Sequence, residues 1–177
     1  LAQSTILVAG GGKSSRGSES IFLMPDSDNG YRLFMDISTS RHPDLVADLA
    51  FSWPFKGEVF DFVVSTWVVE HLVTPELFFR EAYRVLRKKG TLVCAVPFIY
   101  RKHGSPSDYY RFTDTALLHL ARSAGFEQVR IQPVGGTPFI CCVSLLWPLL
   151  RVPLVGFFMF LLALVFDRCV LSISQLT

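Results

Sequence analysis

The chain has 177 residues, 50% of them hydrophobic, 18% charged and 14% aromatic, with a formal net charge of +2. That length suits one domain with its own core, and the apolar excess excludes a disordered tail. A charge so near zero leaves no electrostatic footprint for nucleic acid. Cys94, Cys141, Cys142 and Cys169 have neither the number nor the spacing of a disulfide framework or a zinc site, and read as reduced and buried.

Short apolar runs alternate with helical patterns through residues 1–137. Ile6–Ala9, Leu33–Ile37, Phe60–Ser65, Thr91–Val96 and Gln128–Pro133 read as strands, most of them apolar on both faces, as in a covered parallel sheet. Between the third and fourth runs the pattern predicts a helix, with Thr74 as N-cap and Pro75 in the first turn. Its apolar face is Phe78, Ala82, Val85 and Leu86, and Arg87, Lys88 and Lys89 form a last turn before Gly90. A second helix runs from a Thr113 cap through Leu117, Ala121 and Ala124 to Gly125. This alternation predicts an α/β fold with a Rossmann-like, doubly wound, mostly parallel sheet.

The last 40 residues differ, because only Arg151, Asp167 and Arg168 among the charged residues lie there. The expected division is a cofactor-binding domain over 1–137 and an apolar helical segment over 138–177. Phe139–Phe166 is broken by Pro148 and Pro153, and neither half reaches the about 20 residues of a spanning helix, although both together could cross with a kink. The open readings are two packed helices, a re-entrant or interfacial hairpin, and a spanning helix, with membrane contact through 138–166 favoured. No basic stretch leads into an apolar run at the N-terminus, so no signal peptide is expected, and a start at Leu1 rather than Met fits a fragment.

The first strand runs straight into Gly10, Gly11 and Gly12, where a doubly wound sheet lets a ligand approach bare backbone; a tight turn serving packing alone is the alternative. Lys13 and Ser14 invite a phosphate-loop reading, but the first glycine of that motif would fall at Leu7, which excludes the cradle. At the end of the second strand Asp36 can accept both ribose hydroxyls of an adenosine-containing ligand. Glycine turn plus acid does not separate a nicotinamide dinucleotide from S-adenosylmethionine.

The remaining motifs do. Ala47-Asp48-Leu49 with Trp53-Pro54-Phe55, Phe60-Asp61-Phe62-Val63-Val64-Ser65, Val69-Glu70-His71-Leu72, Glu81-Ala82-Tyr83-Arg84-Val85-Leu86 with Gly90, and Ala124-Gly125-Phe126 follow in order. In this order and spacing the chain resembles the class I S-adenosylmethionine-dependent methyltransferases, in particular the methyltransferase type 11 group, over roughly residues 5–135. The loop from His103 to Thr113 resembles a subgroup associated with cell-envelope saccharide biosynthesis.

The resemblance implies that Gly10, Gly11 and Gly12 approach the methionine part of the cofactor and that Asp36 binds its ribose. It implies further that Asp48 and Leu49 meet the adenine and that Ser65 and Thr66 line the cofactor. Where the family places an acid, two residues before the first loop glycine, this chain has Val8, and the helices that usually precede the first strand are missing. Some quinone O-methyltransferases of this fold hold a metal through a Glu-x-x-Glu-His arrangement. Glu70 and His71 supply its last two members, but Trp67 stands at the first, so no metal is expected.

Methyl transfer to a hydroxyl needs alignment and a proton acceptor, for which His71 and His103, both expected at the carboxyl edge of the sheet, are the catalytic candidates. Asp108, Tyr109, Tyr110 and Arg111 mix phenols, an acid and a fixed cation, and suit a polar acceptor such as a sugar or phosphate-bearing headgroup. The expected function is methyl transfer from S-adenosylmethionine to a small or lipid-linked acceptor by a cytoplasmic enzyme, peripheral on or inserted in the cytoplasmic membrane. The alternatives are an inactive methyltransferase-like scaffold and a dinucleotide-dependent oxidoreductase.

Overall fold

The computed structural model describes residues 4–13, 30–104, 107–133, 157–158 and 161–162. Five strands, β1 (Thr5–Ala9), β2 (Tyr31–Asp36), β3 (Leu45–Val46), β4 (Phe60–Thr66) and β5 (Leu86–Ala95), form one sheet in the order β3-β2-β1-β4-β5, and every pair is parallel. The chain runs outward from β1 through β2 to β3 and then returns to place β4 on the other side of β1. The strand order therefore reverses between β1 and β4, and the crevice beyond their carboxyl ends is where such a sheet takes ligands.

Successive strand residues point to opposite faces, and both faces are apolar. Leu7 and Val63 pack on one side in a core with Met35, Phe78, Ala82 and Val85, while Ile6, Val8 and Val64 pack on the other. Helix α1 (Pro75–Val85) buries Phe78, Ala82 and Val85, spaced four and three apart, into the larger core. Helix α2 (Asp114–Ala124) packs against α1. Its cap is as the sequence predicts: Thr113 Oγ1 accepts the Ala116 N–H at 3.2 Å, and Gly125 closes the helix at φ +113°. Tyr83 covers Gly125 and meets Phe126 edge-on at 5.1 Å.

The fold departs from the expectation at three points. Helix α1 ends at Val85, and Arg87, Lys88 and Lys89 lie in β5 rather than in a helical last turn. The cause is tertiary: the Arg84 and Val85 carbonyls accept the backbone N–H groups of Glu58 and Val59, and Leu86 already pairs with Phe60. A bulge absorbs the residues between Leu86 and Thr91, which pair with Phe60 and Phe62. Second, Gln128–Pro133 forms no strand. Third, β3, only two residues long, has no apolar run to announce it.

Two compact units divide the chain: Leu1–Pro97 with Gly104–Val129, which holds the whole sheet, and Phe98–His103 with Arg130–Thr177. The expected boundary at 137/138 and most of the apolar segment 138–177 lie outside the described residues. Of that segment Phe157, Phe158, Leu161 and Leu162 are helical and exposed. Among the described residues no helix is long and apolar enough to cross a membrane.

Candidate functional site

The crevice is built from the turn after β1 outward. Gly10 adopts φ +84°, and the Gly10 and Gly11 N–H groups both donate to the Met35 carbonyl, at 2.8 and 3.4 Å. A Cβ at Gly10 would collide with the Val68 side chain, which follows β4, and one at Gly12 with the Arg41 backbone, which follows β2. Glycine at these positions lets the segments from the two neighbouring strands close on the turn. A Cβ at Gly11 would meet only Val8 Cγ1, at 2.9 Å. Lys13 pairs with Asp44 at the surface.

Asp36 ends β2 with 6% exposure. Its Oδ1 accepts the Ser38 N–H at 2.8 Å, and Oδ2 lies 3.7 Å from Arg41 Nη1. Sequence reasoning missed Arg41, which acts on both the acid and the glycine turn and which no motif marks. Asp48 caps its own loop, with Oδ1 accepting the Ala50 N–H at 2.8 Å, while Leu49 is buried in the larger core. Val8 is likewise buried, in the smaller core.

At the end of β4, Ser65 is buried, and its hydroxyl has no hydrogen-bond partner among the described residues. An orphan hydroxyl at the carboxyl edge of a central strand is unusual in a closed core. Thr66 is half-buried beside it. Trp67 then turns into the left-handed region at φ +57°, with its N–H held by the Ala95 carbonyl at 3.0 Å. Cys94, which pairs with Ser65 across the sheet, has its thiol pushed up to about 12 by burial and by the negative charge of Glu70.

A single 3₁₀ turn, Val69–His71, follows. Glu70 is fully buried, and its backbone carbonyl accepts the N–H groups of Tyr109 and Tyr110 at 2.9 and 3.2 Å. His71 Nδ1 hydrogen-bonds the Ser107 carbonyl, which assigns the proton of the neutral ring to Nδ1, and Nε2 lies 3.8 Å from Glu70 Oε1. These residues bring the loop 107–113 to the end of β4. Within it Asp108 and Arg111 form a two-point ion pair, at 2.5 and 2.8 Å, and Arg111 also donates to the Tyr110 carbonyl at 2.6 Å. The Asp108 carboxylate holds the Arg111 guanidinium above its ordinary value. Tyr110 donates its hydroxyl to the Val73 carbonyl at 2.8 Å, and Tyr109 is 50% exposed.

Gly10, Gly11, Gly12, Asp36, Ser65 and Thr66 are thus brought to the carboxyl edges of β1, β2 and β4, and His71 with residues 108–111 lies one loop away. His103 belongs to the second unit, where its Nδ1 is 3.3 Å from the Arg101 carbonyl and its ring meets Tyr100 edge-on at 5.0 Å.

Residues 34–94 match the family of the methyltransferase domain. No curated protein sequence matches the chain. Among solved structures, the Haloferax volcanii complex between the Trm112 methyltransferase activator and a methyltransferase candidate is similar at TM-score 0.54 and 20% identity, over 71% of this chain and 62% of that one. The [4+2]-cyclase SpnF aligns at TM-score 0.56 and 21% identity, over 73% and 54%. A Haemonchus contortus phosphoethanolamine N-methyltransferase 2, solved with phosphomonomethylethanolamine and S-adenosylhomocysteine, aligns at TM-score 0.54 and 18% identity, over 71% and 34%. The chain spans less than two thirds of the length of each of these three. Residues 34–94 thus match the model of a methyltransferase domain, and the sheet that carries them shares its fold with these solved structures.

Proposed function

We propose that the protein transfers a methyl group from S-adenosylmethionine to a small or lipid-linked acceptor. The observation that carries this reading is the meeting of the glycine turn, Asp36 and the orphan Ser65 hydroxyl where the strand order reverses, in a sheet whose residues 34–94 match a methyltransferase domain. These residues fit the cofactor. Asp36 has spent one lone pair on Ser38 and faces one cation, so oxygen capacity remains for a ribose diol, and Ser65 lacks the partner that a bound polar group would give it.

When bound, S-adenosylmethionine supplies an electrophilic sulfonium methyl. Asp36 would bind the ribose, the turn at Gly10–Gly12 would approach the methionine part, Ser65 and Thr66 would line the cofactor, and Asp48 with Leu49 would meet the adenine. His71 handles the acceptor's proton: with Nδ1–H fixed on Ser107, the basic position is Nε2, and Glu70 beside it stabilises the imidazolium that forms. His103 is the second candidate base. The resemblance of the 103–113 loop favours a saccharide of the cell envelope as acceptor, and the apolar composition of 138–166 favours contact with the cytoplasmic membrane.

Calorimetric titration of the full chain with S-adenosylmethionine and S-adenosylhomocysteine tests the core of this reading. Micromolar binding, abolished by Asp36→Ala, is the expected result. His71→Ala should keep that binding and lose at least about 100-fold in turnover. Val8, in place of the expected strand acid, favours one second reading, a scaffold that no longer binds cofactor. Absence of binding to both nucleosides would establish it over the enzyme. Co-sedimentation of the full chain with anionic lipid vesicles tests the membrane contact, and a chain left entirely in the supernatant would refute it.

A further inference from the structure

We infer that Trp67 and Tyr109 form the acceptor-recognition surface and that it takes an uncharged, ring-bearing acceptor; the inference rests on the methyltransferase reading of the same crevice. Trp67 is the first residue beyond β4, at the strand-order reversal, and an indole at φ +57° is a conformation that bulky side chains rarely adopt. Such a backbone is strained, and strain of this kind persists chiefly at functional sites. The residue is nevertheless 39% exposed. Core packing alone therefore does not account for a tryptophan there. The next residue, Val68, lies against Gly10, so Trp67 is one residue from the contact that joins the β4 segment to the glycine turn.

Tyr109 is tied to the same stretch beyond β4. Its N–H is bonded to the Glu70 carbonyl, three residues beyond Trp67. Three rings of its loop run from core to surface: Phe112 is buried, Tyr110 lies 5.6 Å from it at 33°, and Tyr109 lies 6.2 Å from Tyr110 at 42°. The Tyr110 hydroxyl is spent on Val73, which leaves the Tyr109 ring as the outermost of the series.

The charges of this loop point the same way. Arg111 is its one permanent cation, and both terminal nitrogens are engaged by Asp108, whose side chain is 4% exposed. A phosphate-bearing headgroup would have to displace a buried carboxylate from that fork, whereas an uncharged ring needs no charge partner. Aromatic faces bind the apolar face of a pyranose or of an arene by the same stacking, so the chemistry shared by both is the proposal.

Saturation-transfer NMR on the full chain with S-adenosylhomocysteine tests it, using methyl β-D-glucopyranoside, phenol and phosphoethanolamine as probes. One of the two neutral rings is expected to bind, which decides between saccharide and arene, and phosphoethanolamine is expected not to compete. Trp67→Ala and Tyr109→Ala should each weaken the bound ring by about tenfold or more, the loss of one good stacking contact. Trp67→Phe and Tyr109→Phe, which keep a ring, should retain it. A structural role alone would instead lower the melting temperature in Trp67→Ala and leave the ring's affinity unchanged in the folded variants. Binding of neither ring, tighter binding of phosphoethanolamine, or wild-type affinity in both alanine variants would overturn the inference. Calorimetry with S-adenosylhomocysteine on the same samples separates the two levels: loss of cofactor binding with ring binding intact counts against the methyltransferase reading alone.

Discussion

Glu81 Oε2 accepts the backbone N–H of Trp53 at 2.6 Å and so ties α1 to the loop that follows β3. Arg84 completes the tie: it pairs with Glu81 and donates to the Phe55 and Trp53 carbonyls at 2.7 and 3.0 Å. Both residues belong to the motif Glu81-Ala82-Tyr83-Arg84-Val85-Leu86, and they hold the loop that follows β3 against α1. Glu81→Ala should destabilise the protein by about 2 kcal/mol, because it strands a buried N–H and frees Arg84. Urea unfolding measures it, and a change below about 0.5 kcal/mol would refute the tie.

Acid should weaken the fold through a short list of carboxylates. The Arg84 guanidinium beside Glu81 holds its carboxyl below the usual range, the Thr5 N–H and Arg87 do so for Asp61, and Lys13 with the Phe34 N–H does so for Asp44. A depressed folded value means stability that is present above the unfolded value and lost as pH falls through the folded one. The melting temperature should therefore fall steeply only below about pH 4, the unfolded range of these acids. Asp61→Asn should make the acid limb shallower.

The glycine turn should discriminate between its members. Gly12→Ala drives a methyl into the Arg41 backbone and should cost about 2 kcal/mol while weakening S-adenosylhomocysteine binding. Gly11→Ala meets only a Val8 methyl and should cost less. Equal melting temperatures for the two variants would contradict this packing.

Cys94 should be inert. A thiol raised to about 12 carries almost no thiolate at about pH 8, so peptide mapping after iodoacetamide treatment should show Cys94 unlabelled in the native protein and labelled after denaturation.

Four of the five strands are legible in the sequence, because runs such as Ile6–Ala9 and Phe60–Ser65 are apolar on both faces, which only a covered parallel sheet requires. The alternation with helices, the Thr113 and Gly125 caps, the glycine turn after β1 and the acid at the end of β2 follow from composition and spacing alone. Tertiary structure decided what depends on distant backbone. Arg87, Lys88 and Lys89 read as a helix end, yet Glu58 and Val59 take the carbonyls of Arg84 and Val85 and turn that stretch into strand. Asp108 and Arg111 read as groups for a polar acceptor, and the fold of their loop adds that they pair with each other. Arg41 and the left-handed Trp67 carry no local signal, since a contact with Gly12 or a bond to Ala95 exists only once β1, β2, β4 and β5 lie side by side. Local pattern encodes which segments must be buried; the partner each polar group finds is set by the register of strands far apart in the chain.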